Sequence, residues 1–242
     1  MAGGPTVGRV SRDLAVQPRT RTSITRFWAS TIGKKAVMAV TGLLLVAYLF
    51  AHMLGNLKVF LGAGAMNDYA AWLREFGEPV LPFGVFLWIT RVVLMVAVVL
   101  HIVSAAQLTL RDRRARPIRY RHGRSRSARG FAPSTMRWGG ATLAVFVVWH
   151  LLDLTVGVAN RDYVQGEPYH NVVADFSVWW VNVIYFVALV MLGLHLDHGL
   201  TSAARTLGLA GRRIRILGTT VAVMITVGFM TVPIGVMTGL VG

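Results

Sequence analysis

AVMAVTGLLLVAYLFAHMLG, Ala36 to Gly55, decides how this chain folds. No charged residue interrupts it, and it has the ~20 residues an α-helix needs to cross ~30 Å of hydrocarbon. Four further apolar stretches follow: Phe83–Leu110, Trp138–Val158, Val178–Leu200 and Ile216–Leu240. The runs are continuous rather than alternating, which argues for helices and against a spanning β-barrel. Of 242 residues, 55% are hydrophobic and 14% charged, a balance that sets the chain apart from ordinary soluble domains. The expectation is an all-α integral membrane bundle of five transmembrane helices over residues 31–242, behind a basic tail at 1–30.

A net charge of +15 invites a nucleic-acid partner, but its distribution points elsewhere. Arg9, Arg12, Arg19, Arg21, Arg26, Lys34 and Lys35 precede or open the first stretch. Ten arginines run from Arg111 to Arg137 between the second and third, and Arg205, Arg212, Arg213 and Arg215 separate the fourth and fifth. The intervening loops carry only Lys58, Arg74 and Arg161. This alternation is the positive-inside pattern, and it predicts a cytoplasmic N-terminus and an outer C-terminus. Anionic lipid headgroups, or another protein, suit the arginine-rich loop. The first 35 residues are too polar for a cleaved secretory signal, so the first span reads as an uncleaved anchor. Ser30 and Thr31 offer a cap for it, with Lys34 and Lys35 snorkelling at the interface. Lys58–Pro82 reads as an interfacial stretch, and Ala159–Asp175 as a short polar loop ordered by Tyr163 and Tyr169. Pro233 is placed to kink the last span. With no cysteine, the chain has no disulfide framework and no thiolate ligand of its own.

Four histidines carry the chemistry: His52, His101, His150 and His195, one late in each of the first four stretches. An ionisable residue inside a membrane segment is costly and marks function. Consecutive spans run in opposite directions, so "late" alternates between the two membrane faces. His52 therefore shares a depth with His150, and His101 with His195. One membrane histidine can simply hydrogen-bond a neighbour. Four of them, in two depth-matched pairs, point to two bis-imidazole haem sites. Zinc is the weaker alternative, because each level offers two histidines and neither carboxylate nor thiolate. His198, three residues after His195, could replace it as ligand, bond a haem propionate or line a quinone pocket; equally, it is an interfacial histidine beside Asp197. Arg91 meets a propionate or snorkels. His122 and His170 lie in loops.

Several segments resemble one family. "GKKAVMAVTGLLLVAYLFAHMLGNL" (Gly33–Leu57), "VVLHIVSAAQ" around His101, "FVVWHLLD" around His150 and "GLHLDHGLTSAARTLG" (Gly193–Gly208) look like the membrane-anchor cytochrome b subunit of succinate dehydrogenases and fumarate reductases. The resemblance is to its single-chain, five-helix, di-haem type, and it covers roughly Thr31 to Gly242. It implies two haem b groups, a proximal one on His101 and His195 and a distal one on His52 and His150. It also implies a quinone, menaquinone by family type, and flavoprotein and iron–sulfur subunits as partners in a bacterial plasma membrane. Lys34 and Lys35 would then lie on the face that docks the iron–sulfur subunit. Such a chain does not oxidise succinate by itself; it passes electrons to quinone. Some relatives carry a glutamate two residues before the fourth-helix ligand, tied to transmembrane proton movement. Here that position is Gly193, so the pathway is not carried over. The rival readings are a di-haem cytochrome of another membrane dehydrogenase, and a non-redox transporter or scaffold whose histidines relay protons.

Overall fold

The computed structural model describes residues 22–115 and 131–242, with the backbone alone for 131–134. The tail before residue 22, most of the arginine-rich loop, and His122 lie outside the described residues. A short helix, α1 (Ser23–Ala29), leads into α2 (Thr31–Asn56), and Ser30 separates them. The Ser30 hydroxyl accepts from the Gly33 amide at 2.8 Å, satisfying one of the donors that a helix start leaves open. A 3-10 turn at Leu57–Leu61 follows, then α3 (Gly62–Glu75), α4 (Val85–Arg114) and α5 (Phe131–Leu154). The chain closes with α6 (Pro168–Phe176), α7 (Trp179–Thr206) and α8 (Arg212–Met237). No strand occurs among the described residues.

Among the described residues, four helical stretches are long and apolar enough to cross a membrane: α2 with its continuation to Glu75, α4, α7 and α8. The sequence led us to expect five. The fifth helix, α5, is 24 residues long and packs along α7. Large apolar side chains face outward along these helices, among them Val92, Met95 and Val99 on α4, Val145 and Val148 on α5, and Val223 and Val227 on α8. Such a surface suits lipid rather than water.

Contacts between helix ends fix the directions. Arg111, late in α4, donates to the Ala29 carbonyl at 2.9 Å, so α4 ends where α2 begins. At the opposite end, Asn67 of α3 accepts from the Tyr169 amide of α6 at 3.2 Å, and Val59, Val172, Val181, Val232 and Val241 share one apolar cluster. The central helix is α2, which packs on α4, α7 and α8. A second cluster joins Met53 of α2, Leu196 of α7, and Ala222 and Ile225 of α8. α7 and α8 approach closely because position 193 is glycine: a Cβ there would meet Thr226 Oγ1 at 2.9 Å. Any side chain at that position would have to displace Thr226.

The two connections read as an interfacial stretch and as a short ordered polar loop both contain helices. The interfacial stretch is mostly α3, and the second polar loop ends in α6. Asn171 organises the loop before it: its Nδ2 donates to the Val164 carbonyl at 2.8 Å, and its Oδ1 accepts from the Val164 amide at 2.7 Å.

Candidate functional site: two interhelical imidazole pairs

His52 and His150 come together from α2 and α5, with ring centroids 6.1 Å apart. His101 and His195 come together from α4 and α7, with centroids 6.3 Å apart. Neither α2 with α5 nor α4 with α7 is a close-packed helix pair. The imidazoles thus reach toward each other across gaps in the bundle, and all four rings stay partly exposed there.

The hydrogen-bond partners select a tautomer for two of the rings. Nδ1 of His101 lies 3.1 Å from the Met38 carbonyl, which can only accept, so Nδ1 carries the proton and Nε2 the lone pair. Thr41 Oγ1, 3.3 Å from the same nitrogen, already donates to the Val37 carbonyl at 2.7 Å. Nδ1 of His150 lies 3.0 Å from Tyr185 Oη, and that hydroxyl donates onward to Asp153 Oδ2 at 3.3 Å. His150 must then donate to the tyrosine, which again leaves Nε2 free. A metal-ligating histidine usually donates its other N–H in this way. Nδ1 of His195 is buried without a partner.

Glycines make room for one pair. A Cβ at Gly42 would lie 3.1 Å from His101 Cε1, and one at Gly140 would lie 3.5 Å from His195 Cε1. Aromatic rings enclose the other: Tyr48 stacks on His52 at 5.4 Å, Phe229 lies 5.7 Å from it, and Phe146 stacks on His150 at 5.7 Å.

These residues fit a bis-imidazole metal centre. With a metal–nitrogen bond of about 2 Å and about 1.2 Å from ring nitrogen to ring centre, two imidazoles sharing one metal ion would have centroids up to about 6.4 Å apart. The observed centroids lie 6.1 and 6.3 Å apart, close to that span, with the rings inclined at 76° and 61°. Among the described residues, no group of three or more His, Cys, Asp or Glu side chains could hold a metal ion, which counts against tetrahedral zinc.

The remaining candidates lie apart from the ring pairs. His198 donates from Nδ1 to the Leu194 carbonyl of its own helix at 2.9 Å, and His195 rather than His198 faces His101. Arg91 is exposed, its guanidinium 5.1 Å from the Trp88 ring. Lys35 is exposed, but Lys34 is only 3% exposed. Lys34 turns inward instead of snorkelling because its ammonium sits 4.5 Å from the Trp28 ring, which α1 folds over it. His170 is exposed and bonds the Asp162 carbonyl at 3.0 Å.

Sequence reasoning missed several partners. Ser104 and Gln107, on α4 after His101, keep buried oxygens with no partner. Asp153 is fully buried one helical turn after His150, and its neighbours Asp175 and Tyr185 are buried too. The rule that singled out the histidines would have found Asp153, a carboxyl in an apolar segment.

No protein-family model matches the chain, and neither the curated proteins nor the solved structures contain a match.

Proposed function

We propose that the chain is the di-haem cytochrome b membrane anchor of a succinate:quinone oxidoreductase. In this reading α5 is a fifth span, the N-terminus is cytoplasmic and the membrane is a bacterial plasma membrane. One observation carries the haem part: two imidazole pairs, with ring centroids 6.1 and 6.3 Å apart, each bridging helices that do not otherwise pack together. The resemblance of Gly33–Leu57 and Gly193–Gly208 to the family supports the complex.

His101 and His195 would hold the proximal haem, and His52 and His150 the distal one. When bound, the haems supply one-electron transfer at potentials set by axial ligands, burial and nearby charge. The chain's own residues do the rest. Met38 and Tyr185 orient two of the rings through Nδ1. Tyr48, Phe146 and Phe229 would flank the distal pair with apolar surface. The unpartnered oxygens of Ser104 and Gln107, with Lys34 and His198 toward the same end of the bundle, offer polar contacts for a propionate or quinone headgroup, menaquinone by family type. Succinate oxidation belongs to a separate flavoprotein, reached through an iron–sulfur subunit that docks on the basic face.

The test is an optical spectrum and a pyridine haemochrome assay on the purified chain. Two b haems per chain, with flavoprotein and iron–sulfur subunits co-purifying, is the expected result. A b-type spectrum without those partners assigns the chain to another dehydrogenase. Absence of haem from the chain expressed with haem supply removes the cytochrome reading.

A further inference from the structure

Beside the distal pair lies a polar chain for which axial ligation alone has no use. Asp153 is 0% exposed and Asp175 4% exposed, and their carboxyls lie within hydrogen-bonding reach of each other. Each keeps one buried oxygen, Asp153 Oδ1 and Asp175 Oδ2, that no other donor reaches. Ionising two buried carboxylates this close is costly, and at neutral pH a proton between them relieves both the repulsion and the missing donor. The other Asp153 oxygen accepts from Tyr185 Oη at 3.3 Å, and that hydroxyl lies 3.0 Å from His150 Nδ1. The result is one continuous line: Asp175, Asp153, Tyr185, His150.

The surroundings supply no competing charge. Tyr185 reaches the pair from α7. From the 3-10 turn, α3 and α8, the packed cluster presents Val59, Met66 and Val232, while Tyr169 of α6 packs at its edge. No cation acts on either carboxyl among the described residues. Burial first, then the hydrogen bond and charge of Asp153, push the Asp175 carboxyl up to about 8.

We infer that Asp153 and Asp175 form a proton-binding site that is linked, through Tyr185, to the redox state of the His52–His150 centre. The inference rests on the di-haem reading. An electron arriving at the distal centre adds negative charge near the pair and tightens its hold on the shared proton. Where the pH has stripped the pair of that proton, above about pH 8, reduction therefore draws one from water at the α3 and α6 end of the bundle, and reoxidation returns it there. One electron and at most one proton move together, and no bond other than O–H forms or breaks. Tyr185 is a positioning residue: it keeps its own proton, donates to Asp153, and holds the His150 ring in the tautomer that frees Nε2.

Two measurements test this on the full chain carrying its haems. Infrared spectroscopy in H2O and D2O should show a protonated carboxyl at pH 7 that Asp175→Asn and Asp153→Asn each remove. Redox titration from pH 6 to pH 10 should show one haem midpoint that is level at the acid end and falls above about pH 8. Its slope approaches at most the 59 mV per tenfold change in proton concentration of a one-electron, one-proton couple. Asp175→Asn should level that slope. Tyr185→Phe should keep the carboxyl band and reduce the slope by half or more, and it should alter the low-spin electron paramagnetic resonance signal of that haem alone. No carboxyl band at pH 7 overturns the shared proton. A band with a pH-independent midpoint in the parent chain overturns the linkage, and an unchanged slope in Tyr185→Phe overturns the role of the tyrosine. A chain that shows the band but binds no haem refutes the cytochrome reading and the linkage with it, and leaves the carboxyl pair standing.

Discussion

On the di-haem reading, replacing Gly42 with valine should weaken haem binding at the His101–His195 site and spare the other. A Cβ at position 42 would sit 3.1 Å from His101 Cε1 and 3.5 Å from Nδ1. Alanine therefore needs the ring to give by a few tenths of an ångström, which the hydrogen bond to the Met38 carbonyl at 3.1 Å resists only mildly. Valine adds two methyl groups about 1.5 Å beyond Cβ, on a side chain with one strongly preferred rotamer in a helix. The imidazole must then leave its position. Overpacking of this kind costs about 1–3 kcal/mol, and at about 1.4 kcal/mol per factor of ten that weakens ligand binding at the pair roughly 5- to 150-fold. Haem titration of the purified chain, followed by pyridine haemochrome, should show one tight site instead of two, with a single low-spin signal remaining. Gly199→Val is the control, because nothing lies within 4 Å of a Cβ there. Two undiminished haems in Gly42→Val, or an equal loss in Gly199→Val, would refute the argument that glycine clears this ring.

Further outcomes follow from the same geometry. His101→Ala and His195→Ala should each remove or convert the same low-spin haem, and His52→Ala and His150→Ala the other; His198→Ala should keep both, since its ring is turned to its own helix. In cells expressing single-cysteine variants, an impermeant thiol reagent should label Asp162→Cys from outside and leave Ser125→Cys untouched; the reverse pattern would invert the membrane orientation. Asn171→Ala strands the Val164 amide and carbonyl and should cost about 1–3 kcal/mol locally, read as faster proteolysis between residues 155 and 167. The Asp175 carboxyl binds its proton more tightly folded, at about 8, than the ~3.9 of an unfolded aspartate. The stability this proton lends is fully present below the unfolded value and is lost as pH rises toward 8, so the Tm in detergent should fall over that range and the fall should flatten in Asp175→Asn.

The proximity of the histidine rings was legible in the chain because it needs only two things: one histidine late in each apolar helix, and helices that alternate direction. Neither depends on side-chain packing. The partners were less legible because they depend on tertiary approach. Asp153 stands in a quoted motif, yet its meaning comes from Asp175, 22 residues on, and from Tyr185 on another helix. Lys34 looked like a snorkelling lysine until Trp28 covered it, and Trp28 belongs to a helix in what read as a featureless basic tail. α3 read only as an interfacial stretch, because what holds it is tertiary: Met66 in a shared cluster and the bond from Tyr169 to Asn67. The glycines at 42 and 140 could be read as packing residues, and only the positions of the facing rings give them a purpose.

The pairing is interleaved: the first histidine helix meets the third, and the second meets the fourth. During synthesis, His52 would enter the bilayer long before His150 exists, and His101 would wait in turn for His195. On the di-haem reading, neither site can be completed by a helix and its immediate successor, so neither could load while the chain is half made. A ribosome that stalls before α7 would release a product with one completable site and one stranded imidazole on α4. Cofactor insertion would then act as a late checkpoint on the whole membrane domain, and a cell short of haem would accumulate chains whose α4 and α5 are tethered on one side only, the form a membrane protease would remove first.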